Sequence, residues 1–209
     1  MRDASDAPWH ARGPVWSQLT SMPTPPARPQ RLPHAPTRGR ALRTRDGACY
    51  RVRAIHPQDV PALQRAFQRL SPEQVRQRTF HRMNELSIEA ATRFATVDPA
   101  LGAAYVVVDA AGEIRGEARF FHDPVGGGAE FAVITDPALS GRGLGRALMR
   151  RLVDEARRRG LSHLWGTVLA QNTQMLEFSR RLGATREACL DEPGVVRVRL
   201  DLSRRLRRH

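Results

Sequence analysis

Between Ala129 and Gly160 the chain reads "AEFAVITDPALSGRGLGRALMRRLVDEARRRG", and two of its features can do chemistry. The first is "SGRGLGRAL", whose glycines at 141, 143 and 145 bridge an apolar, β-branched run and an amphipathic helix. Glycines let successive backbone N–H groups converge at a helix start, where unpaired amides and the positive end of the helix dipole both attract an anion such as a phosphate. Arg142 and Arg146 add charge at the same place. The second feature is Glu130, the lone acid in "AEFAVIT". Desolvation raises the pKa of such a carboxyl and makes it a candidate proton acceptor. A bare glycine turn and a strand-edge acid in solvent are the plainer readings of the two features. The Walker pattern is absent because no GK[ST] follows, and GxGxxG fails because Ala147 and Leu148 follow Gly145.

The elements that must position these groups are legible around them. "YRVRAI" alternates as a half-buried strand does, and Val60, Leu63, Phe67 and Leu70 recur at helical spacing. Ser71 with Pro72, and then Ser87, are helix starts. "AAYVVVD", "IRGEARFF" and "AEFAVIT", separated by turn residues, predict an antiparallel meander. A helix over 144–159, the strand "HLWGTVL", a helix over 172–182 and strands near 184–190 and 195–202 complete an α/β pattern with a mixed sheet. Trp165 and Met175 occupy core-like positions, while His81 and His122 are isolated and read as surface or structural residues.

Composition sets the surroundings. All 34 basic side chains are arginine, and the net charge is +13. Residues 1–47 hold eight Arg against three Asp, and residues 197–209 hold six Arg against Asp201, so most of the surplus sits at the ends. Residues 1–45 carry eight prolines and little apolar periodicity, which predicts a disordered Arg/Pro-rich arm. A folded domain is expected over 48–203, with a basic tail at 204–209. Such tails are ordinarily solvated, so a nucleic-acid partner is not expected. Cys49 and Cys189 share no metal-like spacing and read as reduced thiols of a cytoplasmic protein. No apolar run approaches the roughly twenty residues that cross a bilayer, and no cluster of residues has metal-ligand spacing, so neither a membrane nor a metal partner is expected.

"GRGLG" after "FAVIT", followed by a helix, a strand and "NTQMLEFSRRLGA", resembles the acetyl-CoA-binding signature of the GCN5-related N-acetyltransferases (GNAT). The core motif [QR]-x-x-G-x-[GA] is met at 140–145, except that Ser140 stands at its first position. "LSPEQVRQRTFHR", "ELSIEAATRFATVD" and "AEFAV" narrow the likeness to the acetyltransferase domain of bacterial Pat-type protein lysine acetyltransferases. The resemblance implies an α/β (α+β) GNAT fold: a mixed, mostly antiparallel sheet of six to seven strands flanked by four to five helices, with a V-shaped opening between the fourth and fifth strands.

By the same resemblance the co-substrate is acetyl-CoA. Val133, Ile134, Thr135 and Asn172 would hold its pantetheine arm, and Arg142, Gly143, Leu144, Gly145 and Arg146 its pyrophosphate. Asn172 also reads as an ordinary helix N-cap. Glu130 would be the catalytic base for direct acetyl transfer to a protein lysine ε-amine. Where many members carry N-x-x-A-x-x-L-Y, this chain has Asn172, Met175, Phe178 and Ser179, so the tyrosine that protonates the leaving thiolate is missing. Solvent or Glu130 would supply that proton instead. A small-molecule amine acceptor and a non-catalytic acyl-CoA-binding module are the alternatives, and the expected state is a monomer or homodimer.

Overall fold

The structure, a computed structural model, describes residues 39–79, 84–123, 126–189 and 192–203. Residues 1–38, the tail at 204–209 and His81 lie outside the described residues. Strands β1 (Arg40–Arg43), β2 (Cys49–Ala54), β3 (Gly102–Val108), β4 (Ile114–His122), β5 (Ala129–Thr135), β6 (His163–Leu169), β7 (Thr185–Ala188) and β8 (Val195–Asp201) form one sheet in the order β1-β2-β3-β4-β5-β6-β8-β7. All neighbours are antiparallel except β5 and β6. Five α-helices are found among the described residues: α1 (Val60–Gln68), α2 (Pro72–Thr79), α3 (Ile88–Ala95), α4 (Leu144–Arg158) and α5 (Thr173–Leu182).

Local chemistry explains where these helices begin. The Ser71 hydroxyl accepts from Gln74 N–H at 3.2 Å while Ser71 N–H donates to the Gln74 side chain at 2.9 Å, a reciprocal cap ahead of Pro72. Ser87 accepts from Ala90 N–H at 3.2 Å and opens α3. α4 buries Leu148, Met149, Leu152, Val153 and Ala156 against Tyr105, Val107, Phe120 and Phe131 of the sheet. On the opposite face Ala62, Leu63 and Ala95 meet Val106, Val108 and Ile114. β3 is therefore buried at all seven positions, as a strand covered on both faces must be. Each large side chain so buried contributes about 1.5–3 kcal/mol.

Two expectations need correction. The sheet has eight strands, and the additional one, β1, lies inside the stretch expected to be a disordered arm. "RALR" has no core of its own, but pairing with β2 satisfies its backbone and its Leu42, in register with Tyr50, packs on the central core. Trp165 is not a core residue. Leu164 and Gly166 face the core, which places the half-buried Trp165 on the other face, under the Arg197 guanidinium at 4.9 Å.

Beneath α4 the Tyr105 hydroxyl donates to Glu155 at 2.8 Å, and Arg159 donates to the same carboxylate at 2.8 Å. Burial, then the bond to Glu155, pushes the Tyr105 phenol up to about 12. Burial alone would raise the Glu155 carboxyl, but the Arg159 and Tyr105 donors and the nearby Arg158 outweigh it, and the group ionises below its ordinary value. A depressed carboxyl gives stability that is complete above its unfolded pKa, about 4.3, and is lost as pH falls through the folded value. Urea unfolding of Glu155→Gln at pH 7 should show a loss of about 1–2 kcal/mol, and the gap to wild type should narrow below about pH 4.

Candidate functional site

β5 and β6 pair in parallel at Ala129↔Leu164 and Glu130↔Trp165, and then part. From there to Thr135, β5 forms one wall of a cleft of about 700 Å³. Gly166, Thr167 and Val168 of β6 and Met175, Phe178 and Leu182 of α5 form the facing wall. Gln74, Gln77 and Arg78 of α2 border a third side, and the 139–146 loop closes one end. Val133, Ile134 and Thr135 thus present their backbone at the strand edge that β6 has left.

At the closed end Gly143 is the N-cap of α4, with φ 85° and ψ 4°, and no side chain caps the helix start. A left-handed residue at this point swings the chain into the helix with the first-turn amides of Leu144, Gly145 and Arg146 aimed outward, an anion-binding arrangement. Gly145 needs to be small for a different reason. A Cβ there would lie 3.4 Å from the Phe178 ring and 3.7 Å from the Thr135 methyl, two groups that line the cleft, so a methyl would project into it. Arg146 lines the cleft, whereas Arg142 is absent from the lining and its guanidinium pairs with Asp46 of the β1–β2 turn. Ser140, the departure from the motif, accepts from the Gln174 side chain at 3.1 Å and ties the loop to α5.

Glu130 lies at the fork of the two strands, lines the cleft and is 3% exposed. The reading as a strand-edge acid in solvent is overturned by that burial. Asn172 does cap α5, accepting from Met175 N–H at 3.0 Å, and it lines the cleft as well, so both readings of it hold. Ser179 is 1% exposed and lies outside the cleft lining, where Phe178 stands instead. His122 also lies outside the lining; burial, then Arg159 at 3.5 Å, pushes its ring pKa down. Gln74, Gln77 and Arg78 are among the lining residues that sequence reasoning missed. Their helix begins with a recognisable cap, but nothing in "SPEQVRQRT" indicates which of its polar residues face a cleft. Among the described residues no group of three or more His, Cys, Asp or Glu is placed to hold a metal, and no helix is long and apolar enough to cross a membrane.

The site fits an extended ligand with amides along its length and phosphates at one end. The unpaired β5 edge matches the amides, and the amides at the start of α4, with Arg146, match the phosphates. The description "Acetyltransferase (GNAT) family" matches residues 61–184. Over 78% of this chain and 96% of the other, the fold superposes on the GNAT domain of S. lividans PAT with a TM-score of 0.72 and 27% identity. The Salmonella typhimurium protein yncA, solved with its cofactor acetyl-CoA, aligns over 73% of this chain and 94% of its own with a TM-score of 0.59 and 23% identity, a likeness of fold. An L-methionine sulfoximine/L-methionine sulfone acetyltransferase of Salmonella typhimurium is 39% identical over 66 residues, 32% of this chain and 39% of that protein. The chain therefore spans about two fifths of the length of the first curated relatives it matches.

The two loop glycines should separate on substitution. Gly143→Ala forces a left-handed alanine and should cost about 1–2 kcal/mol of stability. Gly145→Ala, inside the first turn of α4, should leave stability unchanged or raise it by up to about 1 kcal/mol. Its affinity for coenzyme A, measured by calorimetry, should nevertheless fall at least about tenfold, because the methyl occupies the cleft.

Proposed function

From the premise that the chain belongs to the acetyltransferase (GNAT) family, we propose that it is an acetyl-CoA-dependent N-acetyltransferase acting on lysine ε-amines of proteins by direct transfer. The observation that carries the chemistry is Glu130: a buried carboxylate at the fork of two splayed strands, on a cleft whose far end is a glycine-lined helix start. Val133, Ile134, Thr135 and Asn172 hold the pantetheine arm, and the amides of Gly143, Leu144, Gly145 and Arg146, with the Arg146 side chain, hold the pyrophosphate. Arg142 reaches the phosphates once it exchanges Asp46 for them. When bound, acetyl-CoA supplies an activated thioester carbonyl.

A lysine amine has a pKa of about 10.4 and arrives as ammonium. Glu130 takes one proton from it, the neutral nitrogen forms its bond to the acetyl carbon, the carbon–sulfur bond breaks, and the nitrogen sheds its second proton to solvent. The thiolate then takes a proton from solvent or from Glu130. Ser179 has no part in this step, being buried outside the cleft. The burial of Glu130 on the wall of the cleft favours the role, since it sets the carboxylate beside the bound reactants and away from bulk water.

One observation supports a protein acceptor: the structural likeness to the GNAT domain of S. lividans PAT spans nearly that whole domain. The chain is proposed to act in the cytoplasm.

With labelled acetyl-CoA and a lysate of the source organism, label should appear in the protein fraction as acetyl-lysine. Label confined to small amines would replace the lysine reading with the small-molecule one. Glu130→Gln should lower turnover about 10²- to 10⁴-fold while calorimetric affinity for acetyl-CoA is retained; unchanged turnover would remove Glu130 from the mechanism.

A further inference from the structure

Glu130 shares its face of the β4–β5 ladder with a second set of charges. Side chains alternate along a strand, so Glu130, Ala132 and Ile134 point to one face, where their cross-strand partners are Phe121, Arg119 and Glu117. Glu117 receives two guanidinium groups there, Arg78 from α2 at 2.7 Å and Arg119 from its own strand. Arg119 is 1% exposed, donates to the Phe94 carbonyl at 3.1 Å and lies over the Phe94 ring. Of these three side chains only Arg78 lines the cleft.

Arg78 is also held. Its bond to the buried Glu117 fixes the guanidinium, and with Arg119 on the same carboxylate the three groups together carry one positive charge. Glu130 and Ile134 are four residues apart on β5, about 13 Å. A fixed cation therefore borders the cleft near Ile134, about 13 Å along the strand from the position of the base. A unit charge on an acceptor about 10 Å from that cation, at an effective dielectric near 20, interacts strongly enough to change a rate constant about tenfold.

We propose that Arg78 is the charge-selecting residue of the acceptor site. It favours an amine whose own chain carries a carboxylate about 10–13 Å from the nitrogen, such as a lysine with an acidic residue one or two places away, and it disfavours polycations. The assignment rests on the reading of Glu130 as the base. Ala132, between the two charged positions, leaves an acceptor room to span them.

The test measures kcat/KM for matched lysine peptides carrying either Asp or Arg two residues from the lysine, and for spermidine, with wild type, Arg78→Met and Arg78→Lys. Wild type should prefer the acidic peptide by about tenfold. Arg78→Met should bring that ratio close to one with the KM for acetyl-CoA unchanged, and Arg78→Lys should restore most of it. An indifferent wild type overturns the proposal without needing any variant. So does a ratio that persists in Arg78→Met, or a rise in the KM for acetyl-CoA that would place Arg78 on the nucleotide. If no peptide is acetylated while small amines are, the lysine reading fails; Arg78 is then judged by glutamate against spermidine, and equal rates in wild type overturn it.

Discussion

The site depends on a β-ladder that stops early. β5 and β6 pair at two positions and then diverge, leaving main-chain groups of β5 without the partners that a continued ladder would give. Neither strand is free to close the gap. β5 is zipped to β4 as far as Gly116↔Thr135, and β6 to β8 as far as Leu169↔Val195, so closing would break a ladder on the far side of either strand. The opening belongs to the twist and connectivity of the sheet, and a ligand with an amide-bearing arm would complete the hydrogen bonding that the fold leaves open.

Everything else takes its position from that fork. The end of β5 leads into the left-handed turn at Gly143, which places the start of α4 at the closed end of the cleft. Glu130 lies at the apex, where the strands are still paired, and is for that reason buried rather than solvated. The cleft thus has an electropositive end suited to phosphates and a carboxylate at the other, with the length of β5 between them. Asp46 holds Arg142 at the rim, and the hydroxyl of Thr44, which donates to Asp46, is the main cause of that carboxyl lying below its ordinary range. Under the proposed function, phosphates at the loop would compete with Asp46 for Arg142.

Much of this was legible in the residues, for physical reasons. Helix caps at Ser71, Ser87 and Asn172 are local, and local hydrogen bonding is what sequence spacing encodes. The glycine-rich bend announced an amide-lined helix start because backbone geometry there is set by the glycines themselves. The non-local features were not visible. "RALR" becomes a strand only because β2 offers it an edge, and Trp165 leaves the core because β6 registers with β8 through Leu164 and Gly166. Nor was the burial of Glu117 and Arg119 visible. They are buried because helices cover both faces of the sheet, a tertiary fact that alternation within "IRGEARFF" does not contain.

Hydrogen–deuterium exchange with and without acetyl-CoA tests the central claim most directly, because it reads the two sets of main-chain amides that the fork and the glycine bend leave available. The account predicts that binding slows exchange together at residues 133–135 of β5 and 143–146 at the start of α4, with the β3–β4 ladder unchanged. Protection confined to another surface, or no protection of the β5 edge under saturating ligand, would contradict it.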